Sequence, residues 1–136
     1  MTRQDFLSTL GLGAVFVLTT NCLSSCTKDN STSAAVDFTL DLSDPANAAL
    51  ATKGNYVVRN GAVVARTTNG DYVAATVTCS HQGQPQVTYD KSANAYYCTA
   101  HGARFSLQGS GLNANGSGGL TIYKTTLTGT ILRVYA

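Results

Sequence analysis

Two segments determine what this chain can bind: Cys79-Ser80-His81-Gln82-Gly83 and Cys98-Thr99-Ala100-His101-Gly102. They contain both histidines of the sequence and two of its four cysteines, and sixteen residues separate His81 from Cys98. Thiolates and imidazoles are the side chains that bind zinc, copper and iron. Their concentration in two short segments of a 136-residue chain indicates one shared metal site.

The order of ligands within each segment distinguishes three interpretations of this site. Structural Cys2His2 zinc sites usually pair cysteine with cysteine and histidine with histidine. Here each segment contains one cysteine and one histidine, which fits a 2Fe-2S cluster in which two histidines replace two cysteines on one iron. A structural zinc site is one alternative, and a buried cysteine pair beside two unrelated surface histidines is the other.

The complete pattern, Cys79-x-His81…Cys98-x-x-His101-Gly102, resembles the signature of the Rieske iron–sulfur family, and the resemblance extends from about Val36 to Val134. It implies that Cys79 and Cys98 bind one iron of a 2Fe-2S cluster and that His81 and His101 bind the other. It also implies that the cluster is surrounded by residues next to these ligands, namely Ser80, Gly83, Thr99, Gly102, Ala103 and Phe105.

The rest of the chain from residue 36 predicts short strands and no long helix. Residues 36–42 alternate between apolar and polar side chains, as a half-buried strand does. Asn60-Gly61 between two apolar runs is the strongest signal for a two-residue hairpin. No segment has a helical period, so we predict an all-β fold. Strands are predicted at residues 36–42, 55–59, 62–66, 71–78, 86–89, 95–97, 105–107, 120–127 and 130–135.

The segment between the two ligand pairs predicts a hairpin that brings them together. Residues 86–89 and 95–97 flank a polar turn, so both ligand segments should lie at the open end of this hairpin. The family resemblance implies antiparallel sheets in a domain over residues 36–136. That domain should have a sandwich-like base and a small cluster-binding subdomain at about residues 79–107.

The N-terminus predicts export and lipid attachment. Residues 1–25 have Arg3 before an uncharged apolar run, as a signal peptide does, and Leu23-Ser24-Ser25-Cys26 fits a bacterial lipobox. Cys26 is therefore the expected lipidation site, and residues 26–35 read as a flexible tether. An uncleaved membrane anchor is the alternative, although its apolar core from Phe6 to Leu18 is short for a span. We expect an extracytoplasmic, membrane-anchored lipoprotein at the periplasmic face or in the cell envelope.

Charge and ligand counts exclude two classes of function. A formal net charge of +2, without a basic patch interleaved with aromatic residues, argues against nucleic-acid binding. Both histidines belong to the predicted centre, so none is left for a mononuclear iron site of two histidines and a carboxylate. We therefore expect an electron-transfer protein, or an oxidoreductase subunit, with no catalytic site of its own. Its partners would be redox proteins.

Departures from the high-potential members of the family predict a low-to-intermediate reduction potential. Those members have a loop disulfide where this chain has Gln84 and Ala100, and serine and tyrosine hydroxyls where it has Ala103 and Phe105. Their proline-containing cover loop is replaced here by residues 115–119, so we expect a less strongly braced site. Gln82 at the tip makes direct quinol oxidation less favoured. The alternatives are a subunit of a quinol–cytochrome or arsenite-oxidase-like complex, and a zinc lipoprotein.

Overall fold

The computed structural model describes residues 35–136. The predicted signal peptide, Cys26 and nearly all of the predicted tether lie outside the described residues. Nine strands and two 3-10 helices form the described part: β1 (Asp37–Asp41), a 3-10 helix (Pro45–Ala51), β2 (Tyr56–Arg59), β3 (Ala62–Arg66), β4 (Tyr72–Thr76), β5 (Val87–Asp90), β6 (Ala95–Cys98), β7 (Arg104–Phe105), a 3-10 turn (Ala114–Gly116), β8 (Ile122–Thr128) and β9 (Ile131–Tyr135).

The larger sheet has six strands in the order β1-β9-β8-β4-β3-β2, and every neighbouring pair is antiparallel. The predicted hairpin at Asn60-Gly61 is confirmed, because Arg59 pairs with Ala62 and leaves a two-residue loop. Both loop residues have positive φ, 49° and 75°, as the favoured two-residue hairpin turn requires.

The smaller sheet has three antiparallel strands in the order β5-β6-β7, and it presents the ligand segments. Val87 at the start of β5 pairs with Cys98 at the end of β6, while Asp90 and Ala95 flank the turn at the opposite end. The predicted hairpin between the ligand pairs is therefore present. Its open end brings residues 79 and 98 to the same side of the molecule.

Strand β3 lies between two hydrophobic cores. Four successive residues from Ala62 to Ala65 are fully buried. Val63 and Ala65 pack into a core with β5, β6 and both described cysteines, whereas Ala62 and Val64 pack into a second core with β1 and β9. This two-sided burial explains the uninterrupted apolar run at residues 62–65.

The all-β prediction is confirmed, with differences at the ends of some strands. The predicted strand at residues 105–107 is wrong beyond Phe105, because the chain turns there. The Ser106 N–H donates to the Ser110 carbonyl at 2.8 Å, and the Gly109 N–H donates to the Ser106 carbonyl at 3.0 Å. Residues 108–119 then form a loop that contains the second 3-10 turn.

Across residues 35–136, no helix is both long enough and apolar enough to cross a membrane.

Candidate metal centre

The β5–β6 hairpin and two further backbone hydrogen bonds hold the two ligand segments side by side. Cys98 is the last residue of β6, and Cys79 lies three residues beyond β4. The Val87 N–H donates to the Val77 carbonyl at 3.1 Å, which ties the strand leading to Cys79 to β5. The Thr99 N–H donates to the Gln86 carbonyl at 3.1 Å. These bonds fix the separation of the segments that carry the four predicted ligands.

Both segments form the same backbone turn, and we call them the first ligand loop (residues 79–84) and the second ligand loop (residues 98–103). In each, the cysteine N–H donates to the carbonyl five residues later at 2.8 Å, from Cys79 to Gln84 and from Cys98 to Ala103. In each, the glycine four residues after the cysteine donates back to the cysteine carbonyl, at 2.8 and 2.9 Å.

The glycine that closes each ligand loop has a left-handed backbone. The φ angles are 68° at Gly83 and 73° at Gly102, a region that residues with a side chain rarely occupy. The glycines next to the predicted ligands therefore shape the loops themselves. Histidine lies two residues after cysteine in the first segment and three residues after it in the second, but glycine lies four residues after cysteine in both. This shared glycine position explains why both segments form the same turn.

The cysteines and histidines occupy opposite environments. Cys79 is 1% exposed and Cys98 is fully buried, and both belong to the core that packs the three-stranded sheet on β3 and β4. His81 and His101 are exposed, with ring centroids 5.1 Å apart and ring planes at 61°. The loops therefore form an inner thiol pair and an outer imidazole pair.

The apolar surroundings disfavour a free thiolate at Cys79. Burial raises the pKa of the Cys79 thiol, and the neighbouring Cys98 thiol raises it further, while the backbone N–H groups of His81 and Gln82 oppose the rise. Two thiolates in this position need a nearby cation to offset their charge. The inner pair thus has the chemistry of a metal-binding site.

The spatial arrangement fits two metal ions better than one. The cysteine pair is buried and the histidine pair is exposed, so each pair has its own environment. A structural zinc ion needs four ligands around one point. A 2Fe-2S cluster instead takes two protein ligands on each iron. The separate cysteine and histidine pairs are suited to a 2Fe-2S cluster.

A third loop, residues 108–119, holds the second ligand loop in place through two asparagines. The Asn113 Nδ2 donates to the Gly102 carbonyl at 2.8 Å, and its Oδ1 accepts from the Arg104 N–H at 3.1 Å. The Asn115 Nδ2 donates to the carbonyl of His101 at 2.7 Å. Sequence reasoning placed residues 115–119 in the loop that covers the site, but it predicted neither asparagine's bonds to the second ligand loop. The available signal was an asparagine in the N-cap position before a short turn, since Asn113 also accepts from the Gly116 N–H at 2.9 Å.

The glycines of this third loop permit its close packing. A Cβ on Gly116 would lie 2.3 Å from the Arg104 carbonyl oxygen, and one on Gly118 would lie 3.1 Å from the Ser80 Oγ. The loop therefore contacts both ligand loops. Asn115 also hydrogen-bonds the second ligand loop directly. Our expectation that the site is less strongly braced than in the high-potential members stays a prediction.

The other residues predicted around the site divide into buried and exposed groups. Ala103 and Phe105 are fully buried in the same core as the cysteines. Ser80 and Thr99 are exposed, and the Thr99 hydroxyl donates to Gln86 Oε1 at 3.1 Å. The Thr99 hydroxyl is therefore engaged away from the ligands.

The two positions of the absent loop disulfide also differ in environment. Gln84 is exposed, and its carbonyl accepts the Cys79 N–H. Ala100 is partly buried against the core beneath the cysteines.

Comparison with known proteins adds an independent finding. A family model of the Rieske [2Fe-2S] domain matches residues 36–124. The chain is similar to the plasma membrane Rieske protein PetC3 of the cyanobacterium Synechocystis PCC 6803, at 28% identity, with a TM-score of 0.53, over 65% of this chain and 93% of that one. No curated protein sequence matches it.

Two more distant structures share the fold alone. The ferredoxin of carbazole 1,9a-dioxygenase from Nocardioides aromaticivorans IC177 is 19% identical, with a TM-score of 0.51, over 62% of this chain and 86% of that one. The quaternary ammonium Rieske monooxygenase CntA is 17% identical, with a TM-score of 0.53, over 74% of this chain and 31% of that one.

Replacing Asn113 tests the importance of the third loop for the site. Asn113→Ala removes bonds to Gly102, Arg104 and Gly116, so the free energy of unfolding should fall by about 1–2 kcal/mol. Asn113→Asp retains both acceptor bonds and should lose less. Urea unfolding of the full chain measures these changes. Ser117→Ala, at an exposed position of the same loop, is the control, and an equal loss in this variant would contradict the assignment.

Proposed function

The chain belongs to the Rieske [2Fe-2S] domain family, and from that membership we propose that it is a membrane-tethered protein that carries single electrons between redox partners outside the cytoplasm. Rieske domains bind a 2Fe-2S cluster and serve iron–sulfur electron transfer. The observation that carries the proposal is the buried cysteine pair next to the exposed histidine pair, with imidazole centroids 5.1 Å apart.

The four predicted ligands have distinct roles in this proposal. Cys79 and Cys98 would hold the iron on the core side, and His81 and His101 would hold the iron on the solvent side. The bound cluster supplies one-electron redox chemistry. The apolar core excludes water from the thiolates, while the exposed imidazoles give a partner close access to the centre. The protein would thus shield the cysteine side of a bound cluster from water and present its histidine side to a partner.

The proposed reduction potential is low to intermediate for the family. Rieske centres span roughly −150 to +300 mV, and hydrogen bonds to the sulfurs adjust the potential within that range. In the high-potential members, hydroxyl groups stand at the positions of Ala103 and Phe105. Here both side chains lack a hydroxyl and lie in the core, and the Thr99 hydroxyl is bonded to Gln86. The reduced cluster would therefore receive fewer stabilising hydrogen bonds here than in those members, which lowers the reduction potential.

Membrane attachment is proposed through lipid at Cys26. The lipobox at Leu23-Ser24-Ser25-Cys26 and the apolar run before it support export and acylation. The similar Synechocystis protein is a plasma membrane protein, which agrees with a location at a membrane. Multiple acyl chains, at about 0.8 kcal/mol per buried CH2, would give firm attachment.

Metal analysis with electron paramagnetic resonance (EPR) tests the ligand assignment. The purified protein should contain iron and acid-labile sulfide in equal amounts. After reduction by dithionite it should give a rhombic EPR signal whose average g lies below that of all-cysteine clusters. His81→Ala and His101→Ala should lose this signal, whereas Gln82→Ala, at an exposed neighbouring position, should keep it. Zinc without labile sulfide would instead support the structural zinc site.

A redox titration of Ala103→Ser tests the proposed cause of the potential. A charge-assisted hydrogen bond contributes about 1.5–3 kcal/mol. If half of that energy is specific to the reduced state, the added hydroxyl should raise the potential by about 30–60 mV. Ala93→Ser adds a hydroxyl at an exposed position in the β5–β6 turn and should leave the potential unchanged. A wild-type potential at the upper end of the family range would refute the low-to-intermediate assignment and favour a quinol–cytochrome type of subunit.

Cys26→Ser tests membrane attachment. Because acylation requires the thiol, the variant expressed in a bacterial host should move from the membrane fraction or incorporate no labelled palmitate. Cys22→Ser is the matched control, since Asn21 before it does not fit the lipobox. Palmitate labelling that persists in Cys26→Ser would contradict this site.

A further inference from the structure

The thiols of Cys79 and Cys98 are neighbours in the core. Both cysteines are free, and both belong to the core that packs the three-stranded sheet on β3 and β4. Cys98 pairs with Val87 across the hairpin, and the Val87 N–H donates to the carbonyl of Val77, two residues before Cys79. This arrangement brings the two thiols within hydrogen-bonding reach of each other. A disulfide can form only between cysteines that are this close.

A solvent-open cleft reaches the first of these cysteines. The cleft has a volume of about 470 Å³ and lies between the first ligand loop and the third loop. Of the two cysteines that the structure describes, only Cys79 lines this cleft, and Cys98 is fully buried. Because Cys79 is 1% exposed, a reagent would approach its sulfur through the cleft rather than across open surface.

The wall of the cleft is polar but uncharged. Thr78 and Ser80 contribute hydroxyl-bearing side chains, Gly118 and Gly119 contribute backbone from the third loop, and none of the lining residues carries a charge. A Cβ on Gly118 would lie 3.1 Å from the Ser80 Oγ, so the glycine keeps the cleft wide at this point. Such a wall suits a small neutral molecule, because a charged one would lose hydration without gaining an opposite charge.

The backbone of the first ligand loop also favours Cys79 as the attacking thiol. The N–H groups of His81 and Gln82 hydrogen-bond the Cys79 sulfur. Donors of this kind stabilise the thiolate, which is the form that attacks a disulfide. Burial opposes this effect, so the attack should be slower than at an exposed thiol. Cys98, fully buried beside it, is suited to attack the Cys79 sulfur in a second step.

We propose that Cys79 and Cys98 form a second, thiol-based redox site, which a small neutral disulfide oxidises through the cleft when no cluster is bound. The Cys79 thiol loses its proton and attacks one sulfur of the disulfide RSSR. A Cys79–S–S–R bond forms, the original S–S bond breaks, and one RSH leaves with a proton. The Cys98 thiol then attacks the Cys79 sulfur, forms the Cys79–Cys98 disulfide and releases a second RSH. The protein loses two electrons and two protons, and RSSR gains them.

Cluster binding and this disulfide exclude each other, because both use the same two sulfur atoms. This part of the inference rests on the proposed function, in which iron holds both cysteines. A bound cluster then protects the pair from oxidation. Outside the cytoplasm, where disulfides form and persist, a chain that had lost its cluster would be closed to a new one until it was reduced.

Mass spectrometry of the full-length chain tests this proposal. In a chain with Cys22→Ser and Cys26→Ser, Cys79 and Cys98 are the only thiols. The cluster is removed with a chelator and a reductant, both are washed out, and the chain is incubated without oxygen in 2-hydroxyethyl disulfide. Alkylation in urea then counts the remaining thiols. The chain should lose both thiols, become lighter by two hydrogen atoms and retain no adduct. The cluster-containing chain should keep both thiols over the same time.

Single-cysteine variants of the same cluster-free chain assign the two roles. Cys98→Ser should retain one hydroxyethylthio group on Cys79, because no second thiol can displace it. Cys79→Ser should acquire the same group on Cys98 about tenfold more slowly, since that thiol is fully buried and does not line the cleft. In urea the two variants should react at similar rates, which shows that the difference depends on the fold.

A variant that narrows the cleft tests the route to Cys79. Gly118→Val, combined with Cys98→Ser, should slow the reaction of Cys79 by about threefold, because the added side chain lies against Ser80. Ser117→Val is the matched control, since Ser117 is exposed in the same loop and does not line the cleft, and it should leave the rate unchanged.

Two results would overturn the proposal. One is a cluster-free chain that keeps both thiols or retains two adducts, which would show that the sulfurs do not reach each other. The other is an equal rate for Cys79→Ser and Cys98→Ser without urea, which would show that the fold does not direct the reagent to Cys79. Absence of iron and labile sulfide from the purified protein would instead refute the proposed function, and the thiol measurements on the same chain would still decide this inference.

Discussion

The opposite requirements of thiols and imidazoles constrain the whole site. Two thiols must be withdrawn from water, and two imidazoles a few residues later must stay in it. The structure meets both demands with one backbone turn used twice, in which a left-handed glycine closes a loop four residues after each cysteine. The cysteine then lies against the core while the histidine projects outward. The β5–β6 hairpin and the third loop support these two turns by hydrogen bonds.

The base of the fold supplies the rigidity that the turns need. Strand β3 is buried on both faces, so the core beneath the cysteines and the core beneath β1 and β9 share one central strand. Tyr96 and Phe105 of the three-stranded sheet are fully buried in the core that this sheet shares with β3. A side chain that loosens this packing would move Cys98, because it is the last residue of β6.

The sequence was most informative where the determining forces are local. The hairpin at Asn60-Gly61 and the paired ligand segments follow from turn chemistry and spacing over a few residues, and the structure has both. The hydrogen bonds of Asn113 and Asn115 could not be predicted, because their partners, Gly102 and His101, are more than ten residues away. The close approach of Gly116 to the Arg104 carbonyl is likewise set by tertiary packing alone.

The third loop holds the second ligand loop by hydrogen bonds and contains no charged side chain. In this chain the bracing contacts of residues 113–115 are amide hydrogen bonds to backbone carbonyls, which carry no formal charge and need no covalent link. An ion pair at this position would also have held the second ligand loop, but it would have placed a charge beside His101 and altered both the potential of the centre and the choice of partner. A neutral brace stabilises the loop without either effect. The Asn113 and Asn115 amides therefore hold the second ligand loop without adding a formal charge beside His101.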